Sequence, residues 1–184
     1  MRKIVLTFGV ISGVLISVML VATLPLEDRL GSEHAFYSYT LGYTIMVLSF
    51  LLVFFGIRSY RNEVGGGQIS FAKGFAVGIC ITLITCIFYV ATWEILYFNF
   101  MHDFMDKYAA HIIEKARASG ASAAAIQAQI QKMQELKRLY ENPLYNAALT
   151  FIEPFPVGVL ITLLSAAILR RKQVTPELQP AEQI

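Results

Sequence analysis

The sequence predicts an all-α integral membrane protein: four transmembrane helices with an extracytoplasmic αα-hairpin between spans three and four. Three observations carry this. Hydrophobic residues make up 56% of the 184 and charged residues only 15%, with a mean hydropathy of +0.57. Soluble domains carry about 25% charged residues, so the chain lies far to the apolar side. The apolar residues also fall into four blocks, and one long polar segment with helical periodicity separates the last two.

The first block, residues 4–24, holds no charge over 21 positions, and the second, 36–57, holds none over 22. Each is long enough to cross a hydrocarbon core of about 30 Å as a helix. Arg2 and Lys3 precede the first block and raise the alternative of a signal peptide. Its apolar run exceeds the usual core of about 7–15 residues, however, and VATLPLEDR lacks an A-x-A-like cleavage site, so a retained span is expected. The third span covers about 71–97, uncharged from Gly74 to Trp93, and the fourth covers about 147–169 with Glu153 as its single charge.

Between spans two and three lies RSYRNEVGGGQIS. Its glycines, Gly65, Gly66 and Gly67, have no following Lys-Ser/Thr pair, so the phosphate-cradling motif fails. A tight turn with Ser70 as the next helix cap is expected. Orientation follows from the basic residues near span ends. Arg2, Lys3, Arg58, Arg61, Lys73, Arg170, Arg171 and Lys172 fall on one side, whereas loop 25–35 holds only Arg29 against three acids. Both termini are therefore expected in the cytoplasm of a bacterial cell, the protein being multi-pass in the inner membrane. Tyr89, Trp93, Tyr97, Phe98 and Phe100 are expected as an interfacial aromatic belt at the outer end of span three.

Segment 101–143 resolves into two amphipathic helices. In 103–118, Met105, Tyr108, Ala109, Ile112 and Ala116 share one arc opposite Asp103, Lys107, Glu114 and Arg117. ASGAS (118–122) interrupts the pattern, with Gly120 as a stop and Ser122 as a cap. In 122–141, Ile126, Ile130, Met133, Leu136 and Tyr140 form a second stripe, and Pro143 after Asn142 ends it. Helices of about 24 and 30 Å result. Their apolar stripes are expected to be buried against each other, a second copy, a partner or the bilayer surface.

The window FNFMHDFMDKYAAHIIEK (98–115) concentrates two histidines and three carboxylates. As a metal site it is weak: His102 and Asp106 share a face at i,i+4, but His111 lies opposite, and no HExxH or cysteine accompanies them. Helix initiation explains more, with Asp103 as cap, Asp106 toward the helix dipole and Asp103–Lys107 as an i,i+4 pair. Glu94 and Glu153, at or within spans, are the candidate functional carboxylates, because a charge in hydrocarbon is costly unless paired or solvated. Both are expected toward the outer leaflet, where they could share a polar pocket. Gly9, Gly13, Gly74, Gly78 and Gly158 lie in small-xxx-small patterns that let helices approach closely. Packing of span one on span three is the plain reading, with homodimerisation the alternative. Cys80 and Cys86 lie six residues apart and read as small apolar fillers. No cofactor is expected, no metal, and no nucleic acid, since the basic residues form no single patch.

The chain resembles a family of small bacterial four-span membrane proteins known only as a domain of unknown function (family 4199). The resemblance covers residues 3–172 and rests on GYTIMVLSFLLVFFGIRSYR (42–61), GGGQISFAKGF (65–75), DFMDKY (103–108), ASGAS (118–122), NPLYNAALTF (142–151) and EPFPVG (153–158). It implies a four-span inner-membrane domain, 1–172, with an insert between spans three and four, and no site residues. The tail 173–184 lies outside it and is expected to be a flexible cytoplasmic end. A non-enzymatic envelope protein, binding a partner or itself through the hairpin, is the first functional expectation. A subunit of a small oligomeric transporter or channel using Glu94 and Glu153 is the second.

Overall fold

The computed structural model describes the backbone of residues 1–30 and 35–171, with side chains for 1–22, 40 and 42–171. Residues 31–34 of the expected outer loop and the expected tail, 173–184, lie outside the described residues. Among the described residues seven helices follow one another: α1 (Arg2–Leu30), α2 (Ala35–Glu63), α3 (Phe71–Phe100), α4 (Phe104–Ala118), α5 (Ala123–Tyr140), α6 (Pro143–Ile152) and α7 (Pro154–Leu169). No strand occurs among the described residues; one isolated bridge joins Ile69 to Arg171, whose N–H donates to the Ile69 carbonyl at 3.0 Å. Among the described residues four helical stretches are long and apolar enough to cross a membrane: Arg2–Ala22, Gly42–Glu63, Phe71–Phe100 and Pro143–Leu169. The fourth begins four residues earlier than the expected 147 and is two helices, α6 and α7, broken at Glu153.

Local signals place the helix ends. Ser70 caps α3 by accepting from the Lys73 N–H, and Ser122 caps α5 by accepting from the Ala125 N–H. Gly120 has φ of +75°, a left-handed backbone that a side chain would strain, and it closes α4. Asp103 does occupy the position before α4, but its side chain makes no capping bond. Its carboxylate turns instead to the Lys107 ammonium at 2.9 Å, an exposed pair that holds the Asp103 carboxyl below its ordinary range. The preceding helix, α5, ends at Tyr140, just before Asn142 and Pro143, and Pro143 also starts α6: Asn142 accepts from the Leu144 and Tyr145 N–H groups, and the proline takes the first helical position, where no N–H is needed.

The four long elements pack through small residues in a regular register. Along α1 and α3, which run parallel, a side chain at Gly9 would strike Ile84 and one at Gly13 would strike Phe88, while Ser17 meets Thr92 one turn further on. Along α3 and α7, which run antiparallel, Gly74 faces Ala166, Gly78 faces Thr162 and Gly158 faces Thr82. Gly74 and Gly78 also abut Ile57 of α2. So the two glycine pairs serve different seams: Gly9 and Gly13 seat α1 on α3, whereas Gly74 and Gly78 seat α3 on α7 and α2. Phe50, Val53, Ile57, Val77, Ile81 and Cys86 fill the centre and are completely buried. Hydroxyls cross the seams, with Ser12 donating to the Ser49 carbonyl at 2.8 Å and the Thr82 and Thr162 hydroxyls 3.0 Å apart. Such bonds inside a membrane average about 0.6 kcal/mol each.

Candidate functional site

The break between α6 and α7 creates the site. Pro154 and Pro156 supply no N–H, so the carbonyls of Thr150 and Ile152 lose their helical i+4 donors. Glu153 sits at this break with its backbone still helical (φ −70°, ψ −59°). Its Oε2 accepts from the Tyr89 hydroxyl at 2.9 Å, which ties the broken helix to α3. Since α7 has 16 residues, it is about 24 Å long, and Glu153 lies that far from the end carrying Arg170. This is close to the ~30 Å thickness of a hydrocarbon core, so the carboxylate belongs near one boundary of the apolar layer.

Aromatic side chains surround it. Trp93 donates its indole N–H to both the Tyr140 hydroxyl (2.9 Å) and Asn146 Oδ1 (3.1 Å). Asn146, fully buried, also accepts from the Thr150 hydroxyl at 3.1 Å and donates to the Tyr140 carbonyl at 3.2 Å, which locks α5, α6 and α3 together. Phe104 meets Trp93 edge to face at 5.2 Å, and Tyr97 meets Tyr140 in the same way at 5.1 Å. Burial raises the Tyr140 phenol above its ordinary range. Beneath these rings is a cavity of about 200 Å³. Tyr89, Trp93, Phe104 and Tyr140 form its aromatic wall; Leu149, Thr150 and Glu153 form the other.

Of the expected aromatic belt, Tyr89 and Tyr97 are buried, Trp93 and Phe98 half-buried and Phe100 exposed. Tyr89, 8% exposed, bonds Glu153 at the α6–α7 break, and Tyr97, 5% exposed, packs its ring against Phe104 and Tyr140, whereas Phe100 stays 73% exposed. Glu94 does not join Glu153. It lies about 100° around α3 from Trp93 and about 140° from Tyr89 and is absent from the cavity wall. Its Oε1 is enclosed and has no hydrogen-bond partner among the described residues. His102 is exposed, and Asp106 pairs with Lys137 at 2.6 Å, linking α4 to α5 and holding the Lys137 ammonium above its ordinary range. No cluster of three or more metal-ligating side chains occurs among the described residues.

In the α4–α5 pair, Met105 and Met133 are buried, Ile112, Ile126 and Ile130 are half-buried, and Tyr108 is 40% exposed. Tyr140, expected on that stripe, reaches the cavity instead. Phe104, Asn146, Leu149 and Thr150 were not singled out by the sequence. A signal existed for two of them: Asn142, Asn146, Thr150 and Glu153 repeat at helical spacing through an otherwise apolar stretch.

An all-helical chain with four apolar helices of membrane-crossing length, packed through glycine and hydroxyl seams, has the make-up of a multi-pass membrane protein. The chain belongs to the family described as "Protein of unknown function (DUF4199)", whose profile matches residues 7–171. Comparison with curated proteins and with solved structures gives no match.

Proposed function

We propose that this protein is a multi-pass component of a bacterial inner membrane that works by binding a small ligand in the Glu153 cavity, not by catalysis. The observation that carries this is the Tyr89–Glu153 bond: a carboxylate held at a helix break, on the wall of an aromatic cavity, near one edge of the apolar layer. Both termini lie in the cytoplasm on this reading, supported by the bias of Arg2, Lys3, Arg58, Arg61, Lys73, Arg170 and Arg171 toward one end. The cavity and the α4–α5 hairpin are then on the extracytoplasmic side. The bilayer is the protein's surrounding partner, and nucleic acid is not one.

Partner or self-association through the hairpin stripe has less support, because Met105 and Met133 are already buried within the pair. A transporter or channel subunit would use the same Glu153 and would require an oligomer, since four spans are few for a carrier. Native mass spectrometry of the protein taken from its own membranes in mild detergent tests the main proposal. A retained small-molecule mass is expected in the unaltered chain and not in Glu153→Gln. If both are bare and share the same Trp93 emission, the cavity is not a binding site. Flux into liposomes that disappears in Glu153→Gln or Glu94→Gln would move the reading to transport.

A further inference from the structure

We infer that the Glu153 cavity takes an organic ammonium head, a quaternary or alkylated amine, seated between the carboxylate and the rings of Trp93, Phe104 and Tyr140. The inference rests on the proposed binding function and names its ligand class.

The side-chain donors of the cavity wall decide the sign of the ligand. Tyr89 donates to Glu153, Thr150 donates to Asn146, and the Trp93 N–H is shared by Tyr140 and Asn146. Three of the four side-chain polar hydrogens on the wall are therefore committed inside the protein, leaving the Tyr140 hydroxyl. An anion would meet a carboxylate and almost no donors. A cation meets the Glu153 carboxylate on a wall built largely of aromatic side chains. No lysine or arginine lines the cavity to neutralise Glu153 first.

The choice among cations follows from the ligand set. Hard metal ions need about six oxygen ligands, and this wall offers few. Ammonium groups with alkyl substituents need one counter-charge and aromatic faces within about 6 Å, the arrangement that recognises choline-like groups. A volume of about 200 Å³ is below the ~300–1,000 Å³ of drug-sized sites and suits a single head group. Glu153 is exposed, as are its neighbours Ile152 (62%) and Pro156, so the carboxylate is open on an apolar flank of the bundle. Such a head could arrive free in water or attached to a lipid.

Trp93 is the only tryptophan in the chain, so its emission reports on this cavity alone. The full chain in nanodiscs of phosphatidylglycerol is titrated with choline and with 3,3-dimethylbutan-1-ol, its neutral shape analogue. Choline should shift the emission saturably, and the neutral analogue should bind at least about tenfold more weakly, as should choline to Glu153→Gln. Phe104→Leu, which keeps apolar volume and removes a ring face, should weaken choline about three- to thirtyfold, and it serves as the test if the Gln variant does not fold. Repeating the titration in phosphatidylcholine separates the sources: a shifted baseline and no further response to choline identify the lipid head, and an unchanged response identifies a free amine. Equal binding of choline and its neutral analogue overturns the ammonium assignment and leaves the binding function standing. No response to either compound in either lipid, together with a bare mass spectrum, overturns both.

Discussion

Gly158→Ala tests the packing that positions the site. A methyl group there would lie 2.4 Å from Thr82 Cγ2 and 2.7 Å from Phe50 Cε1, where ordinary contact begins at 3.4 Å. Both neighbours are completely buried and cannot swing aside. The opposing effect is helix propensity, since alanine in a helix interior gains about 1 kcal/mol over glycine. Overpacking of this kind costs about 1–3 kcal/mol. Gly42→Ala in α2 isolates the two effects, because a methyl group at Gly42 meets nothing within 4 Å. Propensity cancels between the two variants, and Gly158→Ala should be less stable than Gly42→Ala by about 1–3 kcal/mol. Thr82→Ser removes the struck methyl while keeping the hydroxyl bonded to Thr162, so adding it to Gly158→Ala should restore part of the loss. Reversible unfolding in mixed detergent, followed by circular dichroism, measures the three differences. If Gly158→Ala matches Gly42→Ala, the α3–α7 seam is not as close as described and the Tyr89–Glu153 juxtaposition loses its support.

Two further outcomes are expected. Asn146→Leu should cost about 1–3 kcal/mol, because it removes the acceptor of the buried Thr150 hydroxyl and one acceptor of Trp93; the same unfolding measurement and a shift of Trp93 emission check it, and unchanged values of both would mean the network is not formed. The link between α4 and α5 should depend on pH at the alkaline end: Asp106 raises the Lys137 pKa, so its contribution is fully present below the ordinary lysine value of 10.5 and fades as pH rises through the higher folded value. Disulfide trapping between cysteines placed at Ile112 and Ile130, its rate corrected for thiolate fraction, should hold steady from neutrality to that value; a decline beginning near neutral pH would rule this pair out as the link.

The sequence alone was sufficient for the four apolar helices, because a run of about 20 uncharged residues has few other stable fates and needs no information about neighbours. It was sufficient as well for the caps at Ser70 and Ser122 and the stop at Gly120, each a local interaction within one turn. It also marked Glu153, since an isolated charge beside two prolines is visible without a partner. What it could not supply was any relation between helices. Small-residue spacing identifies a face that can pack closely, but Gly9-x-x-x-Gly13 and Gly74-x-x-x-Gly78 look alike and serve different seams. Aromatic residues at a span end satisfy an interface and an interior equally well, so Tyr89 and Tyr97 read as a belt until Tyr89 is seen to meet Glu153 and Tyr97 to meet Tyr140. Glu94 and Glu153 likewise differ only in context: one ends on the flank of α3, the other meets Tyr89 across the α6–α7 break. Local chemistry decided which segments are helices; only the register between distant helices decided which carboxylate has a cavity in front of it.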